Sequence, residues 1–108
     1  MAPRMTLPTQ LVLRVLLEDP GAEVYGYEIG EAAGLASGTV HPILARLEGM
    51  GWLESRWEDV DRSAAGRPAR RYYRLTADGV EAALDALARV RRPRRLGLKT
   101  PWPAPEPS

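Results

Sequence analysis

The sequence has no cysteine, one histidine and one lysine, and its apolar runs are short. Without cysteine there are no disulfides, no thiolate chemistry and no Cys-based metal site. The lone histidine, His41, has no second histidine or cysteine with which to complete a metal set. Leu11–Leu13 is interrupted by Arg14 and Val15–Leu17 by Glu18, far short of the ~20 apolar residues that a membrane-spanning helix needs. The opening MAPRMTLPTQ also lacks the sustained apolar stretch of a signal peptide. The expectation is a soluble, cytoplasmic chain with no membrane partner, and 108 residues suit one domain with one modest core.

What replaces lysine is arginine, which accounts for 14 of the 15 basic residues. Its planar fork suits phosphates and guanine edges. A genome-wide preference for arginine codons explains that ratio but not where the arginines fall. The net charge of +1 conceals −6 over residues 1–61 and +7 over residues 62–108. Such a split implies a face for a polyanion, with nucleic acid the leading class.

Periodicity orders the elements. LPTQLVLRVLLE (7–18) reads as a first helix, with Thr6 or Leu7 leading into Pro8. Its apolar residues spread almost all the way round, so it needs cover on two sides, one of which we assign to a second subunit. DPGAEV reads as a turn and YGYEIGEAAG as a short second helix, with Tyr25, Ile29 and Ala32 or Ala33 inward and Gly34 as C-terminal cap. A third helix starts at Ser37, its expected cap, after only Leu35 and Ala36. Two helices joined so tightly form a helix-turn-helix unit. Val40, Ile43, Leu44 and Leu47 make the core stripe of that third helix. Gly38, Thr39, Pro42, Ala45, Arg46 and Gly49 occupy the opposite arc, with His41 at its edge. Pro42 frees the carbonyl of Gly38, a defect best tolerated where polar groups approach.

WLESRWED (52–59) and RRYYRL (70–75) alternate as strands. Leu53, Ser55 and Trp57 share a face of the first, and Tyr73 and Leu75 point inward from the second. VDRSAAGRPA between them is a projecting loop with Arg62 and Arg67. Thr76 caps a last helix whose stripe is Val80, Ala83, Leu84, Leu87 and Val90, ending near Arg91 and Pro93. Residues 1–92 thus form the domain, and the Pro/Arg-rich 93–108 are expected to be a disordered tail. The fold class is mainly α with a small β-hairpin: a winged helix-turn-helix.

GYEI (26–29), SGTVHPILARLEGMGWLESRWE (37–58) and GRPARRYYRLTADG (66–79) resemble, in order and spacing, the PadR family of bacterial transcriptional regulators. Its members show GYEL or GYEI, then G-T-L-Y-P with R-L-E, then R-x-Y-Y-x-L-T, and the match spans about residues 7 to 90. The resemblance implies a homodimeric repressor on an inverted-repeat operator in double-stranded DNA, released by a small, often aromatic, effector. It puts the third helix in the major groove and the wing on the backbone or minor groove. Gly38, Thr39, His41, Pro42 and Arg46 become the groove-facing set, with His41 where the family usually has tyrosine. A single helix after the wing matches the short members, which pair through their first and last helices. Leu11, Val12 and Leu16 on the first and Val80, Leu84 and Leu87 on the last are then dimerisation residues.

Several residues carry two readings. Ser37 and Thr39 are phosphate ligands at a helix N-terminus or ordinary caps. Arg46 reads a guanine edge or holds a phosphate, and His41 touches DNA or is plain surface. Arg62, Arg67, Arg70, Arg71 and Arg74 place five arginines within 13 residues, more than solubility requires, and phosphate neutralisation is the better reading. Trp52 and Trp57 line a ligand cavity or simply pack, and RVRRPRR (89–95) adds nonspecific DNA affinity or keeps a tail soluble. Ser37 and His41 are spaced i, i+4 but lack an orienting carboxylate nearby and an evident pocket, so no enzyme activity and no cofactor are expected. The competing classes are a winged-helix protein-interaction module without specific DNA binding and a small-molecule carrier or enzyme, for which only a dimer cavity speaks.

Overall fold

The computed structural model describes residues 4–59, Ala64 and 66–91. Arg62 and the tail expected at 93–108 lie outside these residues. Helix α1 (Leu7–Leu17) begins on Thr6, whose hydroxyl accepts the Thr9 N–H at 3.3 Å, and Pro8 sits in its first turn. Strand β1 (Val24–Tyr25) and helix α2 (Gly26–Ala33) follow, and then α3 (Ser37–Gly49). Strands β2 (Leu53–Trp57) and β3 (Arg71–Leu75) precede α4 (Ala77–Arg91). The sheet is antiparallel in the order β1-β3-β2, with Val24 opposite Tyr73 and Ser55 on the other side of Tyr73.

Two boundaries differ from the sequence expectation. The supposed turn ends in β1, and Tyr25 belongs to that strand rather than to the inward face of α2. Two residues are too few for alternation to declare a strand, and the pairing partner lies far along the chain. Ala36, not Ser37, is the N-cap of α3, and no side chain caps it. The inward face of α2 is Ile29 with Gly26 and Gly30, while Ala32 is exposed.

The helix-turn-helix closes through absent atoms. A β-carbon on Gly30 would lie 3.1 Å from the Leu35 carbonyl and 3.3 Å from Val40 Cγ2, so glycine lets α2 approach α3. Gly34 turns the chain at φ 73°, the left-handed conformation that glycine adopts at little cost. The core beneath is one cluster. Val12, Leu13 and Leu16 of α1 meet Ile29, then Val40, Ile43, Leu44 and Leu47 of α3. Leu53, Tyr73 and Leu75 of the sheet and Ala83 and Leu87 of α4 complete it.

Because α1 packs against α2, α3, β3 and α4, most of its circumference is covered within one chain. Val12 and Leu16 are 0% and 2% exposed and Leu87 5%. Read from the sequence as dimer contacts, these three belong to the core cluster of the single chain. Leu11 and Val80 are half-buried, and Leu84, at 54%, is exposed. The α4 stripe therefore splits: Ala83, Ala86 and Leu87 face in, and Leu84 and Val90 face out.

Thr76 joins the wing to α4. Its hydroxyl donates to the Gly51 carbonyl at 2.8 Å and accepts the Gly79 N–H at 2.9 Å, while its own N–H donates to the Trp52 carbonyl. A helix-turn-helix followed by a small antiparallel sheet and then a closing helix is the winged helix-turn-helix arrangement. No helix among the described residues is long and apolar enough to cross a membrane.

Candidate nucleic-acid interface

Helix α3 has two unlike faces. Val40, Ile43, Leu44 and Leu47 are buried, and Ser37, Gly38, Thr39, His41, Pro42, Ala45 and Arg46 are all exposed. Burial of the first set fixes the axis and roll of the helix, and so fixes where the second set points. The Arg46 side chain makes no hydrogen bond or ion pair with any described residue, although its carbonyl accepts the Met50 N–H. At the N-terminus the Thr39 and Val40 N–H groups both donate to the Ala36 carbonyl, at 2.9 and 3.1 Å. The Ser37 and Gly38 N–H groups have no acceptor among the described residues and sit at the positive end of the helix dipole. The helix therefore presents unpaired donors, two hydroxyls and one guanidinium over a surface of small residues. Beside it a cleft of about 250 Å³ runs between α2 and α3, with Tyr27, Glu31, Ser37 and His41 on its walls.

The wing is built differently. The outer face of the sheet is an ion-pair lattice. Glu23 takes Arg56 Nε and Nη2 at 2.7 and 2.8 Å. Glu54 Oε2 takes Nε and Nη2 of Arg74 at 2.9 and 2.6 Å. Glu58 takes both terminal nitrogens of Arg67, at 2.8 and 3.1 Å, and also the Arg70 N–H at 3.2 Å. The hydrogen bonds from Arg56 and Arg67 hold the Glu23 and Glu58 carboxyls below the usual glutamate range. Arg70 lies 4.8 Å over the Tyr25 ring and Arg56 5.3 Å over that of Tyr72.

On the inner face, past the end of the core, a relay ties α3 to the wing. Ser55 donates to Glu48 Oε2 at 2.6 Å, Arg71 Nη2 donates to Ser55 Oγ at 2.8 Å, and the Arg71 guanidinium stacks 4.9 Å from the Trp57 ring. Trp57 shares the face of Leu53 and Ser55, as its spacing predicts, but lies beyond the core and is 59% exposed. Trp52 packs against the core from its edge.

The structure thus gathers Ser37, Gly38, Thr39, His41, Pro42 and Arg46 on one exposed face, and places Arg67, Arg70 and Arg71 on the wing already engaged within the chain. The glutamates that engage them are the residues sequence reasoning missed. The charge asymmetry was the available signal: the acidic first half and the basic second half meet between strands at Glu54–Arg74 and between α3 and β3 at Glu48–Arg71. Among the described residues no group of three or more His, Asp or Glu side chains is placed to hold a metal ion.

Known proteins share this architecture. The PcaV transcriptional regulator of Streptomyces coelicolor superposes with a TM-score of 0.63 at 29% identity, over 81% of this chain and 58% of PcaV. Its complex with its natural ligand gives 0.62 and 26%, over 80% and 55%. The present chain therefore spans little more than half the length of that regulator. A PadR family transcriptional regulator of Eggerthella lenta DSM 2243 gives 0.61 and 27%, over 78% of this chain and 74% of its own. No curated protein matches the chain. The model of the transcriptional regulator PadR-like family matches residues 12–85, which takes in the helix-turn-helix and the wing, and the chain belongs to that family.

Proposed function

We propose that this protein is a homodimeric, cytoplasmic repressor that binds an inverted-repeat operator through α3 and leaves it when a small apolar or aromatic effector binds. The observation that carries the reading is the division of α3. Its buried stripe anchors it, and every residue from Ser37 to Arg46 outside that stripe is exposed, small or polar. Small side chains let the helix backbone approach base edges and phosphates, the unpaired N–H groups of Ser37 and Gly38 suit a phosphate, and Arg46 supplies a bidentate donor. Family membership supports the regulatory role.

For the dimer, the support is the exposed flank of α4 at Leu84 and Val90. It adjoins a groove of about 300 Å³ lined by Arg14, Leu17, Glu18, Leu84, Leu87 and Ala88. Leu11, Val80 and Leu84 are the dimerisation residues that keep surface to contribute. For the effector, the support is that PcaV was solved with its natural ligand.

The internal pairing of the wing arginines favours a second reading, a winged-helix module that binds protein and not specific DNA. Fluorescence anisotropy against duplex from upstream of its own gene, with unrelated duplex in competition, separates the two. Competition-resistant binding at an inverted repeat, weakened by Arg46→Ala, is the expected result. Absence of binding to any duplex at low salt sinks the DNA reading and leaves the module.

A further inference from the structure

Three of the wing's arginines meet a carboxylate in the geometry a phosphate would use. Arg56 and Arg67 each give two nitrogens to the two oxygens of Glu23 and Glu58, and Arg74 gives two nitrogens to one oxygen of Glu54. The acids come from different places in the chain: Glu23 from the connection ahead of β1, Glu54 from within β2, and Glu58 from just past its end. The fold therefore brings a carboxylate to each of these guanidinium groups. Arg46, on the helix whose exposed face can reach base edges, has no such partner among the described residues.

We propose that Glu23, Glu54 and Glu58 are specificity-determining residues that stand in for DNA phosphates on the wing, so that the wing engages duplex only by exchanging carboxylate for phosphate. This rests on the DNA-binding reading above. The Arg56–Glu23 and Arg74–Glu54 pairs are largely exposed, and Arg67 is half-buried against a Glu58 that is 19% exposed. Ion pairs in contact with water are individually weak, so the dense charge of a duplex displaces the first two most readily. Each displaced carboxylate nevertheless remains beside the phosphate that replaced it, which cancels part of the attraction and part of the counterion release that drives nonspecific binding. Backbone contacts, which carry no sequence information, are thereby discounted, whereas contacts from α3, which do carry it, are not. The result is a chain with low affinity for arbitrary DNA despite a wing rich in arginine.

The test measures anisotropy of the full chain on a random-sequence duplex across a salt series, comparing wild type, the triple variant E23Q/E54Q/E58Q and the control E81Q. Glutamine keeps the size of each side chain, and at position 58 its carbonyl still accepts the Arg70 N–H. Glu81 is an exposed acid on α4, outside the wing, so E81Q removes the same charge per site without freeing an arginine. The triple variant is expected to bind about tenfold or more tightly at low salt, with a log–log salt slope steeper by up to ~0.9 per freed arginine, while E81Q changes neither. Equal affinity and slope for wild type and triple variant overturn the exchange and leave the DNA reading standing. A per-charge effect of E81Q equal to that of the triple variant overturns it too, because net charge then explains everything. No binding by any of the three proteins overturns the DNA reading and the exchange together.

Discussion

Gly79 packs directly against the backbone carbonyl of Trp52, with no space between them for a β-carbon. This contact seats the first turn of α4 on the start of the wing, at the point where Thr76 bonds both segments. The obstacle is main chain, so no side-chain rotation relieves it. Gly79→Ala is therefore expected to destabilise by at least the ~1–3 kcal/mol typical of overpacking. Urea denaturation checks this, and an unchanged midpoint would falsify the close approach.

Thr76→Ala removes the N-cap of α4 and the bond to the Gly51 carbonyl together. The expected loss is ~1–2 kcal/mol, and Thr76→Ser, which keeps the hydroxyl, recovers most of it. Thermal melts of the two variants side by side check the assignment. Equal losses in both would mean that the methyl group, not the oxygen, matters.

Acid should loosen the wing before the core. The Glu23 and Glu58 carboxyls titrate below their ordinary 4.5, chiefly through the hydrogen bonds from Arg56 and Arg67. A carboxyl lowered by folding contributes stability that is complete above its unfolded value and is lost as pH falls through its folded value. The melting temperature is expected to stay level from neutral pH to a little above 4.5 and to decline below it. The E23Q/E58Q variant should decline less over that acid window, and parallel curves for the two proteins would count against the pairing.

Arg67→Ala leaves Glu58 without its guanidinium partner and removes a cation from the base of the wing loop. It is expected to weaken operator and unrelated duplex by the same factor, and to make the salt slope shallower by about one contact or less. Arg46→Ala, by contrast, should weaken the operator more than unrelated DNA if it reads a base. Titrations of both variants on both duplexes give the four numbers needed.

Leu84→Glu puts a charge on the outward flank of α4, where the native side chain is 54% exposed. Folding of the single chain is expected to change by no more than ~0.5 kcal/mol, the usual range for surface positions. Light scattering is expected to show a shift from dimer to monomer, and an unaltered mass would place the subunit contact elsewhere.

Local periodicity made the helices legible. Val40, Ile43, Leu44 and Leu47 recur at helical spacing and are all buried, and Thr76 was a recognisable cap because it precedes an amphipathic run. Two-residue β1 was not legible, since its only evidence is a partner near residue 73. Val12, Leu16 and Leu87 were expected at a subunit contact for a related reason, and lie in the core of the single chain. A helix apolar on most sides needs much cover, and sequence alone does not say whether neighbours in the same chain or a second chain provide it. Of the candidate interface, the exposed arc of α3 could be read from the inverse of its core stripe. The engagement of Arg67 and Arg71 could not, because Glu58 and Glu48 become their neighbours only through strand register and the path of α3.

The short strand β1 has a mechanical consequence. By pairing Val24 and Tyr25 with β3 immediately before α2 begins, it welds the entry of the helix-turn-helix to the wing from one side. The Glu48–Ser55–Arg71 relay welds α3 to the wing from the other. Among the described residues, α2, α3 and the three strands are therefore tied to one another at two separate places. A displacement of one of these elements is passed to the others through main-chain pairing on one side and through side chains on the other.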